Sequence, residues 1–219
     1  NGVAVALDAP PFVENGSTYV PLRFVSENLL MDVQWDAARA HVTLTSRVQL
    51  TLGMDAKEVR STFGAPARTA VSEKGYTWWV YDDVSDYKLL GVSEERVVAY
   101  YLHSASWQTE EGLRSGMTAA DCDALLAGER AEQHASYTVY TGDSVVRTLL
   151  FDEAGDAYAV QEELAEYAGK TQISAAVLEE YARQLIELVN VERAKLGLSA
   201  VVSDETVNTV ARAHSGDMA

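Results

Sequence analysis

The chain offers few side chains that could carry out nucleophilic, acid–base or metal chemistry. Its 219 residues include four histidines and one cysteine. A metal site needs three or more converging ligands, and covalent catalysis needs a nucleophile beside a base. His41 has no histidine or cysteine near it in sequence, and His103 and His134 follow no ligand spacing. The sequence therefore predicts no catalytic residue, no metal site and no cofactor.

The fourth histidine, His214, belongs to a helical pattern near the end of the chain. Val207, Val210, Ala211 and Met218 recur with it at helical spacing, which predicts that all five share a buried helix face. Two interpretations remain open. His214 is either a core histidine satisfied by hydrogen bonds or one member of a functional cleft.

Aromatic residues concentrate in one stretch, and four of them are candidates for a ligand groove: Trp78, Trp79, Tyr81 and Trp107. Such a groove would suit a glycan or a peptide. The alternative is that they form the core and cross-strand pairs of a sheet. Because neighbouring strand residues point to opposite faces, the pattern predicts that Trp78 or Trp79 faces outward.

The charge balance excludes some classes of partner. The net charge is −16, from 33 acidic and 17 basic residues, which disfavours nucleic acid because phosphate binding needs clustered Lys and Arg. No apolar run approaches the ~20 residues that span a bilayer. Asn1-Gly2-Val3 has no basic head or long apolar stretch, so we expect a mature chain or an excised piece without a signal peptide.

Residues 1–47 predict a small β-α-β module. Val3, Val5 and Leu7 alternate as in a half-buried strand, and Asn15-Gly16 predicts a tight turn. Pro21 suits the first turn of a helix. The alternation of apolar and polar residues between Val33 and Leu44, interrupted by a turn, predicts a hairpin.

Residues 48–160 predict a second module with an internal repeat over 52–104 and 115–160. Leu52–Val59 resembles Ser115–Cys122, and in both a capping residue, Asp55 or Thr118, stands three positions before an acid. The match of Val59 with Cys122 predicts that this cysteine is buried. Each half is expected to contain one helix and about three antiparallel strands, and the two halves to share a core.

The rest of the chain predicts a connection over 161–181 and helices within 182–219. Leu178, Tyr181, Leu185, Leu188, Val189 and Glu192 trace a helix stripe. Gly197 is expected to end that helix, and Ser203 to cap the next one. The predicted fold class is therefore α+β: a β-α-β module, a duplicated helix-plus-sheet module and two C-terminal helices.

Three resemblances accompany this order of modules. Pro10-Pro11-Phe12, Tyr19-Val20-Pro21-Leu22-Arg23 and Val33-Gln34-Trp35-Asp36 resemble the copper amine oxidase-like N-terminal (stalk) domain, a module without the oxidase's copper site. Gly-Met-x-x-x-Glu-Val-x-x-x-Phe-Gly-x-Pro, with Trp78-Trp79-Val80-Tyr81, resembles the CAP-associated N-terminal domain. Members of the stalk-domain family usually have Gly where Leu30 stands.

The third resemblance is to the opening of a bacterial CAP domain, of the cysteine-rich secretory protein and pathogenesis-related superfamily. It is carried by Leu188-Val189-Asn190-x-Glu192-Arg193 and by Val210-Ala211-Arg212-Ala213-His214-Ser215-x-Asp217-Met218. It implies a sandwich whose cleft holds two His and two Glu, His214 being the first His and the others lying beyond Ala219. The two helices are expected to be disordered, packed on the second module or exchanged between chains.

These resemblances predict a non-catalytic, extracellular binding or scaffold region of a Gram-positive surface protein, which positions a CAP domain at the cell envelope. Wall polymer or another protein is the expected partner, and the unpaired C-terminal helices could mediate oligomers. One alternative is that the parent protein is a metal-dependent or protease-like hydrolase whose cleft is incomplete in this chain. Another is a purely architectural spacer.

Overall fold

The computed structural model describes residues 10–28, 31–36, 40–46 and 50–217. The chain divides into two compact units, Asn1–Gln49 and Leu50–Ala219.

The first unit contains two antiparallel hairpins and a helix between them. Asn15 and Gly16 adopt φ angles of 49° and 77°, so the predicted Asn-Gly turn has the left-handed geometry that tight hairpins require. His41 is exposed. The predicted strand at Val3–Leu7 and the helix end at Leu30 lie outside the described residues. The elements are β1 (Phe12–Glu14), β2 (Ser17–Tyr19), α1 (Leu22–Asn28), β3 (Met31–Asp36) and β4 (His41–Ser46).

The second unit is built on an eight-stranded antiparallel sheet. Its elements are α2 (Ala56–Phe63), β5 (Arg68–Val71), β6 (Thr77–Tyr81), β7 (Asp86–Ser93), β8 (Arg96–Ser104), α3 (Ala119–Leu125), β9 (Arg130–Gln133), β10 (Tyr137–Thr141), β11 (Val145–Phe151), β12 (Ala157–Leu164), α4 (Ala165–Ala168), α5 (Ala175–Lys195) and α6 (Glu205–Asp217).

The strand order is symmetric about the middle of the sheet. It reads β5-β6-β7-β8-β12-β11-β10-β9, so each half contributes four neighbouring strands and the two halves meet where β8 pairs with β12. The α+β class is therefore confirmed. The prediction of about three strands per half missed the edge strands β5 and β9. Both are only four residues long, and all of Arg130–Gln133 is exposed, so neither shows the apolar alternation that marks a strand.

Equivalent backbone bonds join the start of each repeat to its last strand. The Gly53 N–H donates to the Val97 carbonyl at 2.7 Å, and the Gly116 N–H donates to the Ala157 carbonyl at 2.8 Å. Both glycines have positive φ, 86° and 79°, a conformation that side chains disfavour. Two sequence segments 63 residues apart therefore form the same local structure.

The capping prediction is confirmed most fully in the second half. Thr118 and Asp121 form a reciprocal capping box at the start of α3. At the start of α2, Asp55 accepts one bond, from the Lys57 N–H at 2.8 Å. Val59 and Cys122 are both fully buried, as their equivalence predicts.

Each face of the sheet has its own core. The first core lies under α2 and α3 and contains Trp79, Tyr100 and Leu149; the second lies under α4 and α5 and contains Trp78, Tyr87 and Val191. The prediction that one tryptophan of the Trp78-Trp79 pair is exposed is wrong, since both are 6% exposed. The two side chains do point to opposite faces, but helices cover both faces.

The C-terminal helices were expected to be disordered, packed on the second module or exchanged between chains. Helix α5 packs on the second module. Its sheet-facing residues include Val177 and Val191, which are buried, whereas Leu178 and Leu185 of the predicted stripe are 55% and 63% exposed. Gly197, at φ 67°, follows the end of α5 as predicted.

Helix α6 differs from the prediction in two respects. Asp204, rather than Ser203, accepts hydrogen bonds from the first-turn amides, those of Thr206 and Val207. The predicted buried face is exposed, with Val207 64% and Val210 66% accessible. The reason is that no other described element covers it.

Candidate functional site

The surface between α5 and the sheet brings together polar side chains from distant parts of the chain, of which Tyr87, His103 and Glu180 are buried. We call it the α5 interface: Arg68, Tyr87 and His103 from the sheet, with Glu180, Glu187 and Glu192 from the helix. Glu180 and Glu187 lie seven residues apart, two turns of helix, so both face the sheet beside Val177 and Val191. The interface therefore combines apolar packing with ion pairs.

Arg68 holds the middle of α5. Its guanidinium donates to Glu187 through Nε at 3.0 Å and through Nη2 at 2.8 Å, and Nη2 lies 2.7 Å from Glu180 Oε1. Burial opposes the charge of Arg68, but the bonds to both glutamates outweigh it and raise its pKa. One guanidinium therefore binds two turns of the helix to the edge strand β5.

Tyr87 supports this pair from the middle of the sheet. Its hydroxyl donates to Glu187 Oε2 at 2.8 Å. Burial, together with the nearby Glu187, raises the pKa of Tyr87, so the phenol stays protonated and acts as a donor.

The connection before α5 is bound to the turn between β5 and β6. The Gln172 N–H donates to the Glu73 carbonyl at 2.7 Å, and Lys74 Nζ donates to the Ala168 carbonyl at 2.7 Å. The chain is therefore anchored before α5 begins as well as along the helix.

His103 binds the C-terminal end of α5. It is 3% exposed, and its Nε2 lies 2.8 Å from Glu192 Oε1 and 3.0 Å from Lys195 Nζ. The sequence grouped His103 with no partner, and the Glu192 side chain that it meets is 54% exposed. The structure brings them together across 89 residues of sequence.

A second group of charged side chains lies on the opposite face of the sheet. We call this group the buried charge cluster, and it consists of Arg147, Glu111, Glu129 and Glu162. Arg147 contacts all three carboxylates, at 3.2 Å in the case of Glu162. Burial is the main reason that the pKa of Glu162 rises to about 7, because it outweighs the attraction of Arg147. Three carboxylates therefore surround one guanidinium, and Glu162 is the deeply buried one, since Glu111 is 39% exposed.

Neither group resembles a catalytic or metal centre. Within residues 10–28, 31–36, 40–46 and 50–217, no three His, Cys, Asp or Glu side chains are arranged to hold a metal ion. Cys122 is buried, and desolvation raises the pKa of its thiol to about 11, so it remains a poor nucleophile. In both groups the ion pairs join side chains of different helices, strands or loops and so hold these elements together.

The fold separates Trp78 from the other three aromatic residues that the sequence proposed for a ligand groove. Trp79, Tyr81 and Trp107 lie in the first core, and Trp78 lies in the second. This placement matches the alternative of core packing, and Trp107 Nε1 donates to the Tyr158 carbonyl at 3.0 Å. His214 lies on exposed α6.

His214 lines a shallow, largely apolar groove with Thr206, Val207, Val210 and Ala211. Among the described residues, none forms an ion pair with it. Its assignment to a CAP cleft therefore stays a prediction.

Sequence reasoning missed Arg68, Glu180 and Glu187. A signal was present for the two glutamates, because they fall in register with Val177 and Val191 on one helical face. Nothing in the sequence pointed to Arg68, which lies 119 residues before its partner Glu187.

Comparison with known families agrees with two of the resemblances. Residues 52–160 match the model of the CAP-associated N-terminal family, and residues 1–64 match that of the copper amine oxidase N-terminal domain. No curated protein matches the chain. Among the residues that the structure describes, none of the helices combines the length and the apolar character that a membrane span requires.

Two solved structures share the fold. An extracellular protein containing a SCP domain from Bacillus anthracis aligns with a TM-score of 0.63 at 19% identity, over 80% of this chain and 72% of that one. A cysteine-rich secretory protein from Staphylococcus aureus aligns with a TM-score of 0.54 at 16% identity, over 75% of this chain and 68% of that one.

Proposed function

We propose that this chain, which carries a CAP-associated N-terminal domain in residues 52–160, is an extracellular, non-catalytic scaffold that holds a CAP domain by its first helix. The supporting observation is the α5 interface. The sheet built by the family-matched residues binds α5, and the second half of α5 carries the sequence Leu188–Arg193 that resembles the opening of a CAP domain.

The packing of α5 supports a fixed rather than a flexible attachment. Apolar contacts occur at both ends of the helix, through Val177 and Val191, and the pairs of Arg68 with Glu180 and Glu187 lie between them. A helix held at several points cannot rotate freely about its axis. A domain that begins on α5 would therefore take its orientation from the sheet.

The exposed sides of α5 and α6 are where the rest of such a domain would pack. Leu185, Val207 and Val210 are each more than 60% exposed. Large apolar side chains that are exposed, such as Val207 and Val210 of one groove on α6, are where a further domain would find packing partners.

An extracellular location is supported by the relatives, one of which is described as extracellular and the other as secretory. Attachment to the cell envelope is the finer part of the proposal. Co-sedimentation of the purified chain with cell-wall sacculi tests it, with a soluble protein of similar negative charge as the control. Equal recovery of both proteins in the pellet would refute attachment.

The scaffold role is tested by the substitution Arg68→Met. It removes the cation between two part-buried carboxylates while keeping most of the side-chain volume. We expect α5 amides to exchange hydrogen roughly 10- to 100-fold faster, because the helix loses its central ion pairs. Hydrogen exchange followed by mass spectrometry measures this.

Arg183→Met is the matched control, because Arg183 lies on the exposed side of the same helix. The scaffold proposal is wrong if the α5 amides of the unmodified chain exchange as fast as those of an unstructured peptide. It is also wrong if the α5 amides exchange at the same rate in Arg68→Met and in Arg183→Met.

A further inference from the structure

His103 is placed where the end of α5 meets the sheet, and both of its ring nitrogens have neighbours. Tyr101 Oη lies 3.3 Å from Nδ1. On the other side of the ring, Glu192 Oε1 and Lys195 Nζ both approach Nε2, at 2.8 Å and 3.0 Å. Glu192 and Lys195 also pair with each other at 2.8 Å.

The two contacts at Nε2 cannot both be hydrogen bonds at once, because one needs a hydrogen on Nε2 and the other needs Nε2 without a hydrogen. A carboxylate oxygen only accepts, so Glu192 requires an N–H on Nε2. An ammonium group only donates, so Lys195 requires the lone pair of Nε2. The Tyr101 hydroxyl can accept from an Nδ1–H in either state, which keeps the ring in place while the partner of Nε2 changes.

We propose that His103 is a proton-operated switch in the α5 interface: neutral His103 accepts from Lys195, whereas protonated His103 donates to Glu192 and releases Lys195. The switch concerns the C-terminal end of α5, since Lys195 is the last residue of that helix. This inference rests on the proposed scaffold role, whose interface it would regulate.

The surroundings of His103 fix the direction of the switch. Burial is the main cause that lowers the pKa of His103, and the Lys195 ammonium lowers it further against the opposing effect of Glu192. The other neighbours are phenols: Tyr101 on its own strand and Tyr158, whose ring centroid lies 5.2 Å away. Across the strand pair, His103 faces Tyr87, which is bonded to Glu187.

Neutral His103 therefore prevails at neutral pH. A histidine whose pKa is lowered by folding contributes stability above its unfolded value of about 6.5, and this contribution is lost as the pH falls. Acidification should therefore release Lys195 and weaken the hold on the last turn of α5, while Arg68 still binds the middle of the helix.

Two readouts test the switch in the full chain. The first is the imidazole titration of His103 by NMR. Removing the cation with Lys195→Met should raise the titration midpoint by roughly one pH unit, and removing the anion with Glu192→Gln should lower it by a similar amount. Lys57→Met, at an exposed position on α2, is the control and should leave the midpoint unchanged.

The second readout is amide exchange at Leu196 and Gly197, whose N–H groups bond to the carbonyls of Arg193 and Ala194. After correction for intrinsic pH dependence, their protection should fall roughly 3- to 10-fold between about pH 7 and about pH 5. The fall should be absent in Lys195→Met, which has no ammonium group to release.

Opposite midpoint shifts together with this loss of protection would support the switch. A midpoint that responds to neither substitution, or to only one, would overturn it, as would protection that does not depend on pH. These failures differ from failure of the scaffold role, which is measured by exchange along the whole of α5 at neutral pH.

Discussion

Glu162→Gln should change how the stability of the protein depends on pH. Glu162 lies between two cross-strand neighbours, Tyr100 on β8 and Arg147 on β11, and is 1% exposed. Burial raises its pKa from 4.5 to about 7, although bonds from Tyr100 and Arg147 favour the charged form. Ionisation therefore costs the folded state more than the unfolded state.

The magnitude follows from the two pKa values. A rise from 4.5 to about 7 corresponds to about 3 kcal/mol of folding free energy once the carboxyl is ionised. Because the folded state binds the proton more tightly, this stability is present at low pH and is lost as the pH rises from about 4.5 to about 7. Glutamine stays neutral and can still accept from Arg147 and Tyr100.

The assay is urea unfolding of both proteins at several pH values from about pH 5 to about pH 8. The free energy of unfolding of Glu162→Gln should gain about 2 to 3 kcal/mol relative to the unmodified chain over this range. Glu166→Gln, at an exposed position on α4, is the control for the loss of one carboxyl. A difference that stays constant with pH, or that changes in the opposite direction, would refute the reasoning.

Two further predictions concern the repeated helices. Thr118→Ala should destabilise the protein by about 1 kcal/mol in urea unfolding, and Asp55→Ala should destabilise it by less. The reason is that Thr118 forms a reciprocal capping box, whereas Asp55 accepts one hydrogen bond. An equal or larger loss of stability for Asp55→Ala would contradict this. Cys122 should react with a thiol reagent at about pH 8 only as urea unfolds the protein, because it is buried and its thiol pKa is about 11; rapid labelling of the native protein would contradict this.

The parts of the fold that the sequence predicted depend on local patterns. The helix starts at Asp55 and Thr118, the turn at Asn15-Gly16 and the burial of Cys122 each follow from a few consecutive residues or from comparison of the two repeats. Local geometry decides such features, so a single sequence is sufficient to find them.

The polar groups that fix α5 could not be predicted in the same way. Arg68 and Glu187, or His103 and Glu192, meet only after the sheet has formed, and no spacing rule connects residues about 90 to 120 positions apart. The exposure of one tryptophan of the Trp78-Trp79 pair was mispredicted for a related reason. Alternation gives the face of a strand on which a side chain lies, but it does not show whether another element covers that face.

The duplicated architecture explains why α5 must be part of this unit. Each half carries one helix, α2 or α3, and both helices pack on the same face of the sheet. The repeat by itself therefore leaves the other face uncovered, with Trp78, Tyr87 and Val98 on it. Burying that face requires an element outside the repeat, and α5 together with α4 provides it. Covering the sheet and binding the helix that resembles the start of a CAP domain are thus the same set of contacts, so a change that loosens one must loosen the other.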